Sequence, residues 1–121
     1  MANEQSKVLV IEDDPDGLRS VSEAIADEGY TVVTATTGRG GIDGVLRESP
    51  DVVLSDLFLP DIDGLGVLEV IRRQKPGLPV LLMTAYGSVD SAVKALKQGA
   101  YDYLTKPLDL DDLQAKLARA V

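Results

Sequence analysis

Five short apolar runs rich in β-branched residues recur along this chain, and each is followed by a stretch with helical spacing. Strand-sized runs alternating with helix-sized segments are the pattern of repeated βαβ units and a parallel sheet. The runs are Lys7 to Ile11, Tyr30 to Thr34, the segment from Val52 that ends at Asp56, Pro79 to Met83, and Tyr101 to Leu104. They are continuous rather than alternating, so the sheet must be covered on both faces, and right-handed crossovers then make a doubly wound sandwich.

The helical stretches are less uniform. After Glu12-Asp13-Asp14-Pro15-Asp16, a helix turns Leu18, Val21, Ile25 and Ala26 inward and ends near Gly29. Gly38 to Ser49 has the least support from propensity: Ile42, Val45 and Leu46 are helically spaced, but Gly40, Gly41 and Gly44 each cost about 1 kcal/mol relative to alanine. Past the loop Leu59 to Gly64, Leu65, Leu68, Val70 and Ile71 mark a helix that Lys75-Pro76-Gly77 stops. Ser88 is the expected N-cap of a fourth helix with Val89, Ala92, Val93 and Leu96 inward and Gly99 at its end. The last helix starts near Asp109 and turns Leu110, Leu113, Leu117 and Ala118 to the core.

At 121 residues with 45% hydrophobic composition the chain is one domain with a real core. It has no cysteine and no histidine. Disulfides and thiolate metal sites are therefore excluded, and chemistry falls to carboxylates, hydroxyls and lysine, a donor set that favours a hard cation such as Mg²⁺. The formal net charge of -8 disfavours direct nucleic-acid binding, which needs clustered Lys and Arg. There is no apolar run of about 18 residues and no signal-peptide core, so a cytoplasmic domain with no membrane contact is expected. The helical pattern still running at Val121 points to the N-terminal piece of a longer protein.

Ligands of open parallel sheets bind at the carboxyl ends of the strands. Glu12 and Asp13 follow the first strand, Asp56 ends the third, Thr84 the fourth, and Lys106 follows the fifth. Singly, each has an ordinary reading: Asp56 as a turn residue, Glu12 and Asp13 as loop acids or caps, Thr84 as a strand end, Lys106 as a solvated charge. Together they converge on one edge. Three carboxylates there would repel one another unless a divalent cation sat among them. The chemistry assembled is phosphoryl transfer to a carboxylate: Asp56 attacks, the metal and Lys106 neutralise the transferring oxygens, and Thr84 binds the product.

The blocks Val10-Ile11-Glu12-Asp13-Asp14-Pro15, Asp56-Leu57-Phe58-Leu59-Pro60-Asp61-Ile62-Asp63-Gly64, Met83-Thr84-Ala85 and Gly99-Ala100-Tyr101-Asp102-Tyr103-Leu104-Thr105-Lys106-Pro107 occur in this order. With these blocks the whole chain resembles a receiver domain of a two-component response regulator. The resemblance implies the flavodoxin-like fold, five parallel strands in the order 2-1-3-4-5 flanked by five helices. It implies that Asp56 accepts a phosphoryl group from a sensor histidine kinase or phosphotransfer domain, that Asp13 binds Mg²⁺ directly and Glu12 through water, and that the Phe58 carbonyl is a further ligand. Glu12 and Asp13, rather than Asp13 and Asp14, fall in the paired acidic positions, with Glu12 replacing the commoner aspartate. By the same resemblance Lys106 contacts the phosphoryl group, Lys106-Pro107 is cis, and Thr84 and Tyr103 form the switch. Phe58, Ala85 and Tyr86 occupy positions that tune dephosphorylation, and helix 4, strand 5 and helix 5 are the expected dimerisation surface.

The tract from Leu82 to Leu104 further resembles receivers of the nitrogen-regulation type, which implies an output in transcription. Beyond its own phosphorylation and dephosphorylation, no enzymatic activity is expected. Two other functions fit a site of this kind. An aspartate-nucleophile phosphatase would carry a second aspartate two residues after the nucleophile, where this chain has Phe58, and a cap for which it has no room. A receiver-like interaction module that works without phosphorylation would lack part of the acid, threonine and lysine set, and here the set is complete.

Overall fold

The computed structural model describes residues 6–85 and 89–121. Five strands alternate with five helices: β1 (Lys7–Ile11), α1 (Pro15–Asp27), β2 (Thr31–Ala35), α2 (Gly38–Glu48), β3 (Val52–Asp56), α3 (Gly64–Gln74), β4 (Val80–Thr84), α4 (Val89–Lys97), β5 (Asp102–Thr105) and α5 (Leu110–Ala120). All neighbours pair in parallel in the order β2-β1-β3-β4-β5, as expected, with Val8 opposite Val52 and Val53 opposite Val80. Strands two, four and five begin one residue later than their apolar runs.

Because successive strand side chains point to opposite faces, the three central strands feed two cores. Val8, Val10, Leu54, Leu81 and Met83 pack with Val21 and Ile25 of α1 and Leu113 and Leu117 of α5. On the other face Leu9, Ile11, Val53 and Leu82 pack with Val45 of α2, Val67, Leu68 and Ile71 of α3 and Ala95 of α4. Each fully buried Leu or Ile contributes about 1.5–3 kcal/mol relative to exposure, so the cores rather than intrinsic helicity hold these short helices.

The helices meet the sheet differently from their apolar spacing in several places. In α2 two of the glycines that weigh against a helix lie on its inner face: Gly41 and Gly44 are buried with Gly38 and Val45, while Leu46 is 56% exposed. A Cβ on Gly41 would run into the Ile11 side chain, so backbone there packs where a side chain cannot. In α4, Ala92 and Ala95 face the core and Val93 and Leu96 face solvent, because the small residues let the helix lie close to the sheet. Ala26, Leu110 and Ala118 are likewise exposed, and Val67 supplies core contact in α3 ahead of half-buried Val70. Ser88, the expected cap of α4, lies outside the described residues.

Loop chemistry follows the residues. Asp14, Asp63 and Asp109 cap α1, α3 and α5 by accepting backbone amides of Gly17, Gly66 and Asp111. After α4 the chain turns at Gly99, whose φ of 104° is the left-handed region that favours glycine. Lys106-Pro107 is cis, as the resemblance implied.

Candidate functional site

The ladder that builds the sheet also gathers the polar residues. Glu12 extends β1 by donating its amide to the Ala35 carbonyl (3.0 Å), and Leu57 donates to Met83 (2.8 Å) just past Asp56. Lys106 donates its amide to the Thr84 carbonyl (2.8 Å), which fixes the end of β5 against the end of β4. Glu12, Asp56 and Thr84 are buried and Asp13 is exposed at the rim.

Into this cluster reaches Lys106. Its ammonium pairs with Asp56 Oδ2 at 2.7 Å and with Glu12 Oε1. Asp56 Oδ1 accepts the amide of Phe58 at 3.0 Å, so both oxygens of the acid are held. Carboxylate oxygens of Glu12, Asp13 and Asp56 lie within 4.8 Å of one another. Five of the residues singled out in the sequence thus share one strand-end rim.

The electrostatics follow from that crowding. Burial pushes the Glu12 carboxyl up to about 7, with neighbouring Asp56 acting in the same direction and Lys106 against it. Burial also pushes Asp56 upward, but pairing with Glu12 and Lys106 and the Phe58 amide hold it below the usual carboxylate range. Lys106 is raised despite burial because it sits between the two acids. One half-buried ammonium therefore stands against up to three carboxylates, and the cluster is short of positive charge.

Among the described residues Glu12 Oε2 is buried with no hydrogen-bond partner. A buried acceptor left unpaired costs about 1–3 kcal/mol, and a cation among the oxygens would relieve it. The donor set is all oxygen with no histidine or cysteine, as a hard divalent cation requires. Asp14 does not join: its carboxylate accepts the Gly17 amide at 3.1 Å as the cap of α1, which explains why Glu12 and Asp13, not the two adjacent aspartates, face the cluster.

The other expected residues that the structure describes lie around this rim. Thr84 and half-buried Tyr103 line a small cleft with Leu57, Leu82, Ala92 and Ala95. The Phe58 side chain is 59% exposed beside Asp56, Ala85 is exposed, and Tyr86 lies outside the described residues. Two contacts had no counterpart in the sequence reading. Asp61 accepts the amides of Gly38 (2.7 Å) and Arg39 (2.9 Å) at the start of α2. Lys116 donates to the Tyr103 carbonyl (2.8 Å), and its ammonium lies 5.6 Å from the centre of the Tyr103 ring. Neither partner follows from local spacing, because both contacts join separate elements.

A family model of the response regulator receiver domain matches residues 8–118. The chain belongs to this family. The receiver domain is 41% identical over its full length to the transcriptional regulatory protein ZraR of Escherichia coli, covering 27% of that protein, and 41% identical over 118 residues to the DNA-binding transcriptional regulator NtrC of the same organism, covering 25% of it. It spans about a quarter of the length of these curated relatives. Among solved structures it is similar to a receiver domain protein of Clostridium thermocellum, with 31% identity, a TM-score of 0.92 and coverage of 96% and 94% of the two chains. The receiver domain of NtrX from Brucella abortus is similar too, with 33% identity, a TM-score of 0.89 and coverage of 93% and 96%. These relatives agree with the nitrogen-regulation resemblance of the tract from Leu82 to Leu104. Among the described residues no helix is long and apolar enough to cross a membrane.

Proposed function

We propose that this receiver domain is the phosphoacceptor switch of a two-component relay, with Asp56 taking the phosphoryl group from a phosphohistidine of a sensor kinase or phosphotransfer domain. The observation that carries this reading is the Lys106 ammonium bridging Asp56 and Glu12 beside Asp13, a nucleophile, a cation and a metal-binding oxygen set on one rim. In the reaction an Asp56 oxygen forms a bond to phosphorus as the bond from phosphorus to the imidazole nitrogen breaks, and the leaving nitrogen keeps that electron pair. Lys106, already 2.7 Å from Asp56, neutralises the transferring oxygens, and the Thr84 hydroxyl at the next strand end donates to the product. Asp13, Asp56, the Phe58 carbonyl and, through water, Glu12 would hold Mg²⁺, which supplies charge neutralisation during transfer.

The acyl phosphate carries about two negative charges at the rim, draws on Thr84, and lets Tyr103 move in the cleft they share. That motion alters the surface of α4, β5 and α5, where Val93, Leu96 and Tyr101 are exposed, and a change in self-association there passes the signal to an output in transcription. Phe58, where a phosphatase would have its second acid, argues against turnover of external substrates.

The test is incubation with acetyl phosphate and Mg²⁺ followed by intact mass. One added phosphoryl group, absent from Asp56→Asn, is expected. No adduct, or an undiminished adduct in the variant, overturns the reading, and turnover of a small phosphoester beyond one equivalent favours a phosphatase.

A further inference from the structure

Helix α2 has little intrinsic reason to form at its start. Its first turn contains Gly38, Gly40 and Gly41 and no acidic residue to meet the helix dipole. Each amide there is nevertheless satisfied: Gly40 donates to the Thr37 hydroxyl (2.9 Å) and Gly41 to the Thr37 carbonyl (3.0 Å), while Gly38 and Arg39 donate to the two oxygens of Asp61. The negative charge that the helix start lacks in its own sequence is supplied from the β3–α3 connection. Gly38 makes that approach possible, since a Cβ there would stand 3.0 Å from the Ile62 carbonyl.

The same bonds fix the connection. At its near end Leu57 donates to Met83 (2.8 Å) and Phe58 donates to Asp56 (3.0 Å), and at its far end Gly64 donates to Leu57 (2.6 Å). Asp61 is the anchor between them, and Phe58-Leu59-Pro60 is strung between Asp61 and the near end. Phe58 carries the backbone carbonyl of the oxygen set.

We propose that Asp61 is a positioning residue for the site: by binding the first two amides of α2 it holds the segment whose Phe58 carbonyl completes the cation-binding oxygens. This rests on the phosphoacceptor reading above. Loss of the tie loosens that one ligand and leaves Asp56, Lys106 and Thr84 in place, so cation affinity falls while the transfer step at saturating cation is kept.

The experiment is Mg²⁺ titration of the metal-free 121-residue chain, followed by amide shifts near Asp13 and Asp56, in the wild type, Asp61→Asn and Thr37→Ala. Thr37→Ala weakens the same helix start without touching the connection, so it separates helix stability from loop position. Asp61→Asn is expected to raise the dissociation constant for Mg²⁺ roughly tenfold, the low end of what loss of a supporting partner costs at a metal site. Thr37→Ala should bind as the wild type does, and phosphorylation of Asp61→Asn by acetyl phosphate at saturating Mg²⁺ should recover. Unchanged affinity in Asp61→Asn, or an equal loss in Thr37→Ala, overturns the inference alone. A wild-type chain with no Mg²⁺ response overturns the phosphoacceptor reading and the inference with it.

Discussion

The Nζ atom of Lys106 lies 2.7 Å from Oδ2 of Asp56, across 50 residues of chain. The contact depends on β3 and β5 both lying next to β4 and on the Lys106 amide being held by Thr84.

Lys106→Met should therefore slow the transfer step far more than it disturbs the fold. Removing one preorganised cationic donor from developing charge costs about 10²–10³ in rate. Time-resolved intact mass with acetyl phosphate checks this, and a rate equal to that of the wild type would remove Lys106 from the reaction.

Two glycines should respond oppositely to alanine. At Gly41 the gain in helix propensity is about 1 kcal/mol, but overpacking against Ile11 costs about 1–3 kcal/mol, so a net loss is expected. Gly77 has nothing among the described residues within 4 Å of an added Cβ, and Gly77→Ala should be neutral or stabilise by up to about 1 kcal/mol through the unfolded chain. Urea midpoints of the two variants decide the signs.

Asp61 should leave a signature in acid. The amides of Arg39 and Gly38 hold its carboxyl down at about 2, against an ordinary value of 3.8. A depressed folded pKa stabilises above the unfolded value and is lost as pH falls through the folded one, so the contribution is complete above about 4 and fades toward 2. The stability difference between wild type and Asp61→Asn should be present at neutral pH and shrink over that window. Urea unfolding at a series of acid pH values follows it.

Lys116 should steady Tyr103. It contacts the Tyr103 carbonyl and ring and pairs with Asp112 at 3.1 Å. Lys116→Met keeps the stem but loses these polar contacts, at a cost of about 1 kcal/mol. Fluorine NMR of fluorotyrosine-labelled chain should show the Tyr103 resonance shift or broaden in the variant, while Mg²⁺ binding is unchanged.

Legibility in the sequence followed the range of the interaction. The strands were visible because a buried parallel strand needs a continuous apolar run, as Val52 to Leu54 shows. The strand-end residues were visible because each closes such a run. The facing of the helices was read less well, since apolar spacing assigned Val93 and Leu96 inward together with Ala92, whereas Ala92 and Ala95 allow closer packing and form the buried face. The glycines of α2 likewise look like helix breakers until Leu9 and Ile11 are set beside them.

Local chemistry thus determined the alternation of elements, the caps at Asp14, Asp63 and Asp109, and which side chains end the strands. Only the tertiary structure decided that Asp13 faces the cluster, that among the described residues one oxygen of Glu12 is left unpaired, and that Asp61 closes the start of a helix 22 and 23 residues away. The reason is physical: caps and apolar runs are satisfied by neighbours in sequence, whereas burial, charge pairing and close backbone approach depend on which elements the sheet order brings together.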